Sequence, residues 1–193
     1  MDKKNQILEA ADILFAEEGY NLSMSEIAKE VGIKVPSIYS HYSGKDEIIF
    51  IIVKNEIFGF YLQTIEELKK QMEKSWEESL RELYYHILNY YSQENRLRFW
   101  RNISLIQNQK LKKDCVDFMK EQEKCLSTKL EEVFRKGIAE ESVRGEDEKK
   151  MATFYMVLIR GVMDRMIVYQ NSETDLEIFL HEIWDEYSFL KKK

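Results

Sequence analysis

A chain of 193 residues, 44% hydrophobic and 33% charged, has room for one core or two small ones and reads as soluble and globular. One proline, Pro36, and seven glycines are too few for a sandwich or barrel full of turns and suit long helices. The net charge of −6 counts against a nucleic-acid partner when taken over the whole chain, because such proteins usually carry a basic footprint.

The first residues, MDKKNQ, lead straight into an amphipathic pattern with no apolar signal-peptide core. No apolar run approaches the roughly 18 residues of a membrane span. The expectation is a cytoplasmic protein with no membrane partner. Residues 3–18 read as a helix, with Ile7, Ala10, Ala11, Leu14 and Phe15 on one face and Gly19 as a left-handed cap. Ser23 starts a second helix, and Glu26 three positions on completes a capping box. Ile27, Ala28 and Val31 form its inner face, and Gly32 closes it.

Pro36 suits the first turn of a third, short helix, about Pro36 to Tyr42, where a missing N–H costs nothing. Ser43-Gly44 breaks it, and a long helix follows from Lys45 to about Lys74. Further helices are expected near 76–93, 95–108, 111–140, 147–170 and 174–190. The helix at 111–140 would carry both Cys115 and Cys125, about 15 Å apart along its axis and too far for a disulfide, so both read as reduced thiols. The whole is an all-α chain of about nine helices: a three-helix N-terminal domain, residues 1–47, and a larger helical domain, residues 48–193.

Two short helices joined by a glycine turn make a helix-turn-helix when the details agree. Ala28 is small where two helices would cross, Gly32 permits positive φ, and Ile27, Val31, Ile33 and Ile38 would fix the crossing angle. The third helix spends its other positions on Ser37, Tyr39, Ser40 and His41, all able to hydrogen-bond, as a helix entering a major groove requires. The first fifty residues are acidic, with five lysines against nine carboxylates. Yet Val31 to Lys45 holds Lys34, His41 and Lys45 and no acid.

The segment ILEAADILFAEEGYNLSMSEIAKEVGIKVPSIYSHYSGKDEII resembles the DNA-binding region of TetR-type (tetracycline-repressor-like) transcriptional regulators over about residues 7–54. The matching positions are Phe15, Gly19, Tyr20, Ile27, Ala28, Gly32, Ile33, Tyr39, His41, Tyr42, Lys45 and Ile48. Tyr42 stands where phenylalanine is usual, and Leu22 and Ser25 replace the commoner Thr and Arg. The resemblance implies a one-component repressor, not an enzyme, that binds a palindromic operator as a homodimer and is released by a small effector. It puts Lys34, Val35, Pro36, Ser37 and Ser40 at base edges, and Tyr39, His41, Lys45, Ser23 and Ser25 at phosphates, with Tyr42 counted in the same DNA-binding set.

Beyond about residue 55 the helices are rich in aromatic residues and methionine, which make adaptable apolar pockets. Candidate effector-binding residues are Phe58, Tyr61, Tyr84, Tyr91, Phe99, Trp100, Ile103, Gln107, Phe118, Met119, Tyr155 and Met163, favouring an apolar or amphipathic ligand. Arg101, Asn102 and Gln107 could orient its polar end or simply face water. The last two helices carry more apolar surface than one core requires, so Leu158, Val162, Met166, Leu176, Leu180, Ile183 and Tyr187 are candidates for a dimer interface.

No nucleophile elbow, phosphate loop or Cys-x-x-Cys pair points to an enzyme. Glu82 with His86 and Glu177 with His181 share helix faces, but lack the Glu-x-x-His spacing of di-iron bundles. The reading is therefore no catalytic residue, no metal and no cofactor. A TetR-like ligand-binding protein that has lost DNA binding is a rival, supported by the acidic balance and opposed by the acid-free stretch from Val31 to Lys45.

Overall fold

Asp2 and Ser23 start the first two helices by the same device, a side-chain oxygen that accepts from a first-turn N–H. In the computed structural model, which describes residues 2–93, 95–143, 147–168 and 182–183, α1 runs Lys3–Glu18 and α2 runs Met24–Val31. A 3-10 turn, Gly19–Asn21, joins them. There follow α3 Val35–Tyr39, α4 Lys45–Gln71, α5 Trp76–Ser92, α6 Arg96–Ser104, α7 Gln109–Ala139 and α8 Glu148–Val168. The elements among the described residues are all helical, as the scarcity of breakers requires. The helix expected at 174–190 lies outside them apart from residues 182–183, which are helical.

The chain divides by packing into two units. One comprises Met1–Phe60 and Gln93–Gln122, the other Tyr61–Ser92 and Glu123–Lys193. This is a different division from the functional one expected after residue 47. Helix α6 and the first part of α7 pack with the N-terminal helices, because α6 lays Phe99 and Ile103 into their core.

In the first unit Ile7, Ala11 and Phe15 of α1, Ile27 of α2, Ile38 of α3 and Ile48 and Ile49 of α4 are buried. Each of these isoleucine and phenylalanine side chains contributes about 1.5–3 kcal/mol by leaving water. The Phe15 and Phe99 rings meet edge to face with centroids 4.8 Å apart. Asn102 of α6, expected to face a ligand or water, is buried instead, and its amide donates to the carbonyls of Phe15 (2.8 Å) and Ala16 (3.1 Å). Both carbonyls lie in the last turn of α1, and the Phe15 oxygen also accepts the Gly19 N–H. Gly19 sits at φ 63°, ψ −139°, not in the left-handed helical region expected of it. A Cβ there would lie 3.2 Å from Asn102 Cγ, so the position needs glycine for both conformation and space.

In the second unit Trp76, Leu80, Leu83, Tyr84, Leu130, Phe134, Ala152 and Tyr155 form the core. Ser75 and Glu78 form a second reciprocal cap at the start of α5: Glu78 N donates to Ser75 Oγ (3.2 Å) and Ser75 N to Glu78 Oε2 (3.3 Å). The Tyr155 hydroxyl donates to the Leu80 carbonyl at 2.8 Å, tying α8 to α5. Gly137 of α7 lets the Trp76 ring lie where a Cβ would come within 2.7 Å of Cγ.

Helix α4 corrects one expectation. It holds an 18-residue window long and apolar enough, by length and composition, to cross a membrane, and 50% of that window is buried inside the protein. Lys54 and Glu56 interrupt it, which is why no unbroken apolar run was visible. Glu56 is buried, paired with Arg96 and accepting from the Trp100 indole N–H at 3.0 Å. A buried charge so satisfied is a core arrangement.

Candidate nucleic-acid interface

The turn between α2 and α3 is set by Gly32, at φ 68°, ψ 36°, whose N–H reaches back to α2. The capping box at the other end of α2 is complete: Glu26 N donates to Ser23 Oγ at 3.2 Å and Ser23 N to Glu26 Oε2 at 2.7 Å. These two devices fix the length of α2, and buried Ile27 and Ile38 fix α3 against it. Helix α3 is shorter than expected, Val35–Tyr39, and begins one residue before Pro36. Past its end His41 N and Tyr42 N both donate to the Ile38 carbonyl, at 2.9 and 3.0 Å.

The short helix leaves Lys34, Pro36, Ser37, Tyr39, Ser40 and His41 exposed and Val35 half-buried. Ser40 Oγ donates to the Ser37 carbonyl at 2.7 Å, so its proton is engaged. Tyr39 and Tyr42 part company, 55% exposed against 2%. The Tyr42 hydroxyl donates to the Lys4 carbonyl at 3.0 Å, so this tyrosine braces α1 and is not among the outward-facing residues. Burial pushes its phenol above the usual range.

Ser25 is exposed and Ser23 half-buried, its oxygen already serving as the α2 cap. Lys45 is also half-buried: its ammonium donates to the Tyr20 carbonyl at 2.8 Å and lies 4.1 Å from the Tyr20 ring centroid. The Tyr20 hydroxyl in turn donates to Asp46 Oδ1 at 2.8 Å, and Asn108 Nδ2 to Asp46 Oδ2 at 2.7 Å. Burial and the Asp46 carboxylate together raise the Tyr20 phenol.

One feature of this surface escapes a reading by composition. Ser43 gives its N–H (2.6 Å) and its hydroxyl (2.7 Å) to Glu47 Oε2. Those bonds hold the exposed Glu47 carboxylate below its usual pKa and fix a negative charge at the start of α4. Its only trace in the sequence is a serine four residues before a glutamate, one position off the capping-box spacing.

The candidate effector residues fall in both units. Phe99, Trp100, Ile103 and Met119 are buried in the first, where Phe118 is half-buried and Phe58 and Gln107 are exposed. Tyr61, Tyr84, Tyr91, Tyr155 and Met163 are buried in the second. There the Tyr61 hydroxyl donates to Glu123 Oε1 at 3.3 Å, and burial leads the causes that raise its phenol. His86 Nε2 and Gln71 Oε1 of the same unit are buried without a hydrogen-bond partner among the described residues.

Of the dimer candidates, Val162 and Met166 are buried within the second unit, and Leu158 and Ile183 are half-buried. Leu176, Leu180 and Tyr187 lie outside the described residues. The large apolar residues that α8 leaves exposed are Phe154, Val157 and Val168. Among the described residues no three His, Cys, Asp or Glu side chains gather as metal ligands; Glu177 and His181 lie outside them. Cys115 is buried, its thiol pushed up to about 11 by burial, and Cys125 is exposed.

Residues 7–50 match the family described as bacterial regulatory proteins, tetR family. An HTH-type transcriptional regulator of Staphylococcus aureus is 36% identical over 64 residues, which is 33% of this chain and 35% of that protein. The chain thus matches about a third of the length of that curated relative. A TetR transcription regulator from Haloarcula marismortui superposes with a TM-score of 0.75 at 17% identity, over 99% of each chain. The regulator FadR from Bacillus subtilis, solved with stearoyl-CoA, gives 0.71 at 20% identity over 94% of this chain and 95% of that one. Residues 7–50 of this chain are thus similar to the tetR family of bacterial regulatory proteins, and the chain shares the fold of solved TetR transcription regulators.

Proposed function

We propose that the chain is a ligand-responsive transcriptional repressor of the cytoplasm. It binds a palindromic operator as a homodimer and is released by a small, largely apolar or amphipathic effector. The observation that carries the reading is the α3 surface, where Lys34, Pro36, Ser37, Tyr39, Ser40 and His41 stand exposed on a helix held rigid from behind by Ile38. An exposed helix that spends its surface on hydroxyls, one imidazole and one ammonium is suited to a groove lined by base edges and phosphates.

The effector reading is supported by the buried aromatic side chains and methionines of the second unit, Tyr61, Tyr84, Tyr91, Tyr155 and Met163. It is supported too by the stearoyl-CoA held by the FadR neighbour. The dimer reading draws on the exposed Val157 and Val168 of α8 and the apolar spacing of the chain beyond it. Binding-site selection from random DNA tests the central claim, with sedimentation of the bound species reporting its stoichiometry. An enriched, roughly palindromic motif bound by two chains is the expected result. Failure to enrich any motif at low salt overturns it.

A further inference from the structure

Direct reading of bases rests on few side-chain types. Arginine or lysine pairs with guanine, asparagine or glutamine with adenine, and carboxylates accept from cytosine. From Ile33 to Tyr42 the chain holds no arginine, asparagine, glutamine, aspartate or glutamate. Apart from Lys34, the side chains that make two-pronged contacts are therefore absent from the exposed side of α3. Lys34 brings a single ammonium, as ready to meet a phosphate as a guanine. Ser40 has already given its proton to the Ser37 carbonyl at 2.7 Å.

What α3 does offer at its start is an apolar patch. Pro36 is exposed and Val35 half-buried, with exposed Ser37 adjoining. The proline nitrogen carries no proton, and neither side chain has a donor or acceptor. Pressed against purine N7 or a cytosine amino group, this patch would leave a desolvated polar atom unpaired, a contact that costs affinity. The major-groove floor has one apolar group, the thymine 5-methyl.

On the reading of α3 as the recognition helix, we infer that each operator half-site presents a thymine methyl to Val35 and Pro36. This contact, with the adjoining hydroxyl of Ser37, carries the main sequence preference. The operator is thus read at these positions chiefly by shape and methyl contact.

The test uses full-length wild-type protein and an operator selected from a random duplex pool. Each thymine of a half-site is replaced in turn by deoxyuridine, which keeps every hydrogen-bonding group and removes only the methyl. One position is expected to lose about fourfold in affinity, and about fifteenfold when both half-sites are changed, the worth of one buried methyl each time. At that position a 5-methylcytosine–guanine pair should bind more tightly than an unmethylated one. In Val35→Ala/Pro36→Ala the deoxyuridine penalty should vanish; if that variant does not fold, the wild-type comparison still decides. A selected operator whose affinity is unmoved by deoxyuridine at every position overturns this inference and leaves DNA binding standing. Enrichment of no motif overturns both.

Discussion

The side-chain amide of Asn102 caps the end of α1, donating to the Phe15 and Ala16 carbonyls at 2.8 and 3.1 Å. Asn102→Ala would take the amide donor from both carbonyls and leave Phe15 O with the Gly19 N–H alone, at a cost of about 1–3 kcal/mol. Urea unfolding should show a lower midpoint with an unchanged slope. Operator affinity should fall as well, because α1 braces the helix-turn-helix through Tyr42 and Lys4. A midpoint equal to wild type would mean that the amide is not what ends α1.

Tyr39 and His41 are exposed and lie where the proposed function puts phosphates. Tyr39→Ala and His41→Ala should each weaken binding by about 1 kcal/mol, equally on selected and unrelated duplexes, because phosphate contacts position without specifying. Ser37→Ala should instead change the selected sequence. Quantitative binding to the operator and a scrambled duplex separates the two classes. A sequence-dependent effect of Tyr39→Ala would assign that residue to base reading.

Glu47 sets a fixed negative charge at the start of α4, held by Ser43. Glu47→Gln keeps an acceptor for those bonds and removes the charge. Operator affinity should rise at low salt by roughly threefold for each protomer, and the gain should fade as salt screens the phosphates. The measurement is a salt titration of both proteins on one duplex. An affinity that drops instead would show the carboxylate to be needed for the shape of the turn.

Asp12 of α1 is raised to about 6, first by burial and then by the Glu56 carboxylate, with Arg96 opposing. A carboxyl whose folded pKa lies above its unfolded value favours folding when protonated. That contribution is full below about pH 4 and lost as pH rises through about 6. Asp12→Asn should therefore stabilise the protein by up to about 2 kcal/mol at pH 7.5 and by little at pH 4. Thermal unfolding of both proteins across that range checks the sign. A gain that grows toward acid would contradict it.

The elements that local patterns determine were legible. The S-x-x-E spacing announced the α2 cap, Gly32 its end, and the three-and-four spacing of Ile7, Ala10, Ala11 and Phe15 the buried face of α1. Contacts between distant residues were not. Nothing near Asn102 says that its amide will meet α1, and nothing around Tyr42 or Lys45 says that one turns inward and the other lies on Tyr20. Gly19 shows the same divide: the need for glycine was visible, but its ψ depends on the Asn102 side chain beside it. The exposure of Lys34, Pro36, Ser37, Tyr39, Ser40 and His41 was legible because side chains on the free face of a short helix owe their place to the helix alone. A pocket was not legible, since buried aromatics look alike whether they fill a core or line a cavity.

Among the described residues each unit carries one buried tryptophan, each in a distinct setting. Trp100 donates its indole N–H to the Glu56 carboxylate, whereas Trp76 lies against Gly137 beside Phe134. The chain has three tryptophans, and the third, Trp184, lies outside the described residues. With Trp184→Phe as background, Trp100→Phe and Trp76→Phe each leave a single indole in one unit. Steady-state emission then follows each unit on its own. Heating or denaturant titration of the two reporters would show whether the units melt at one midpoint or two, and a candidate effector could be assigned by which indole it perturbs.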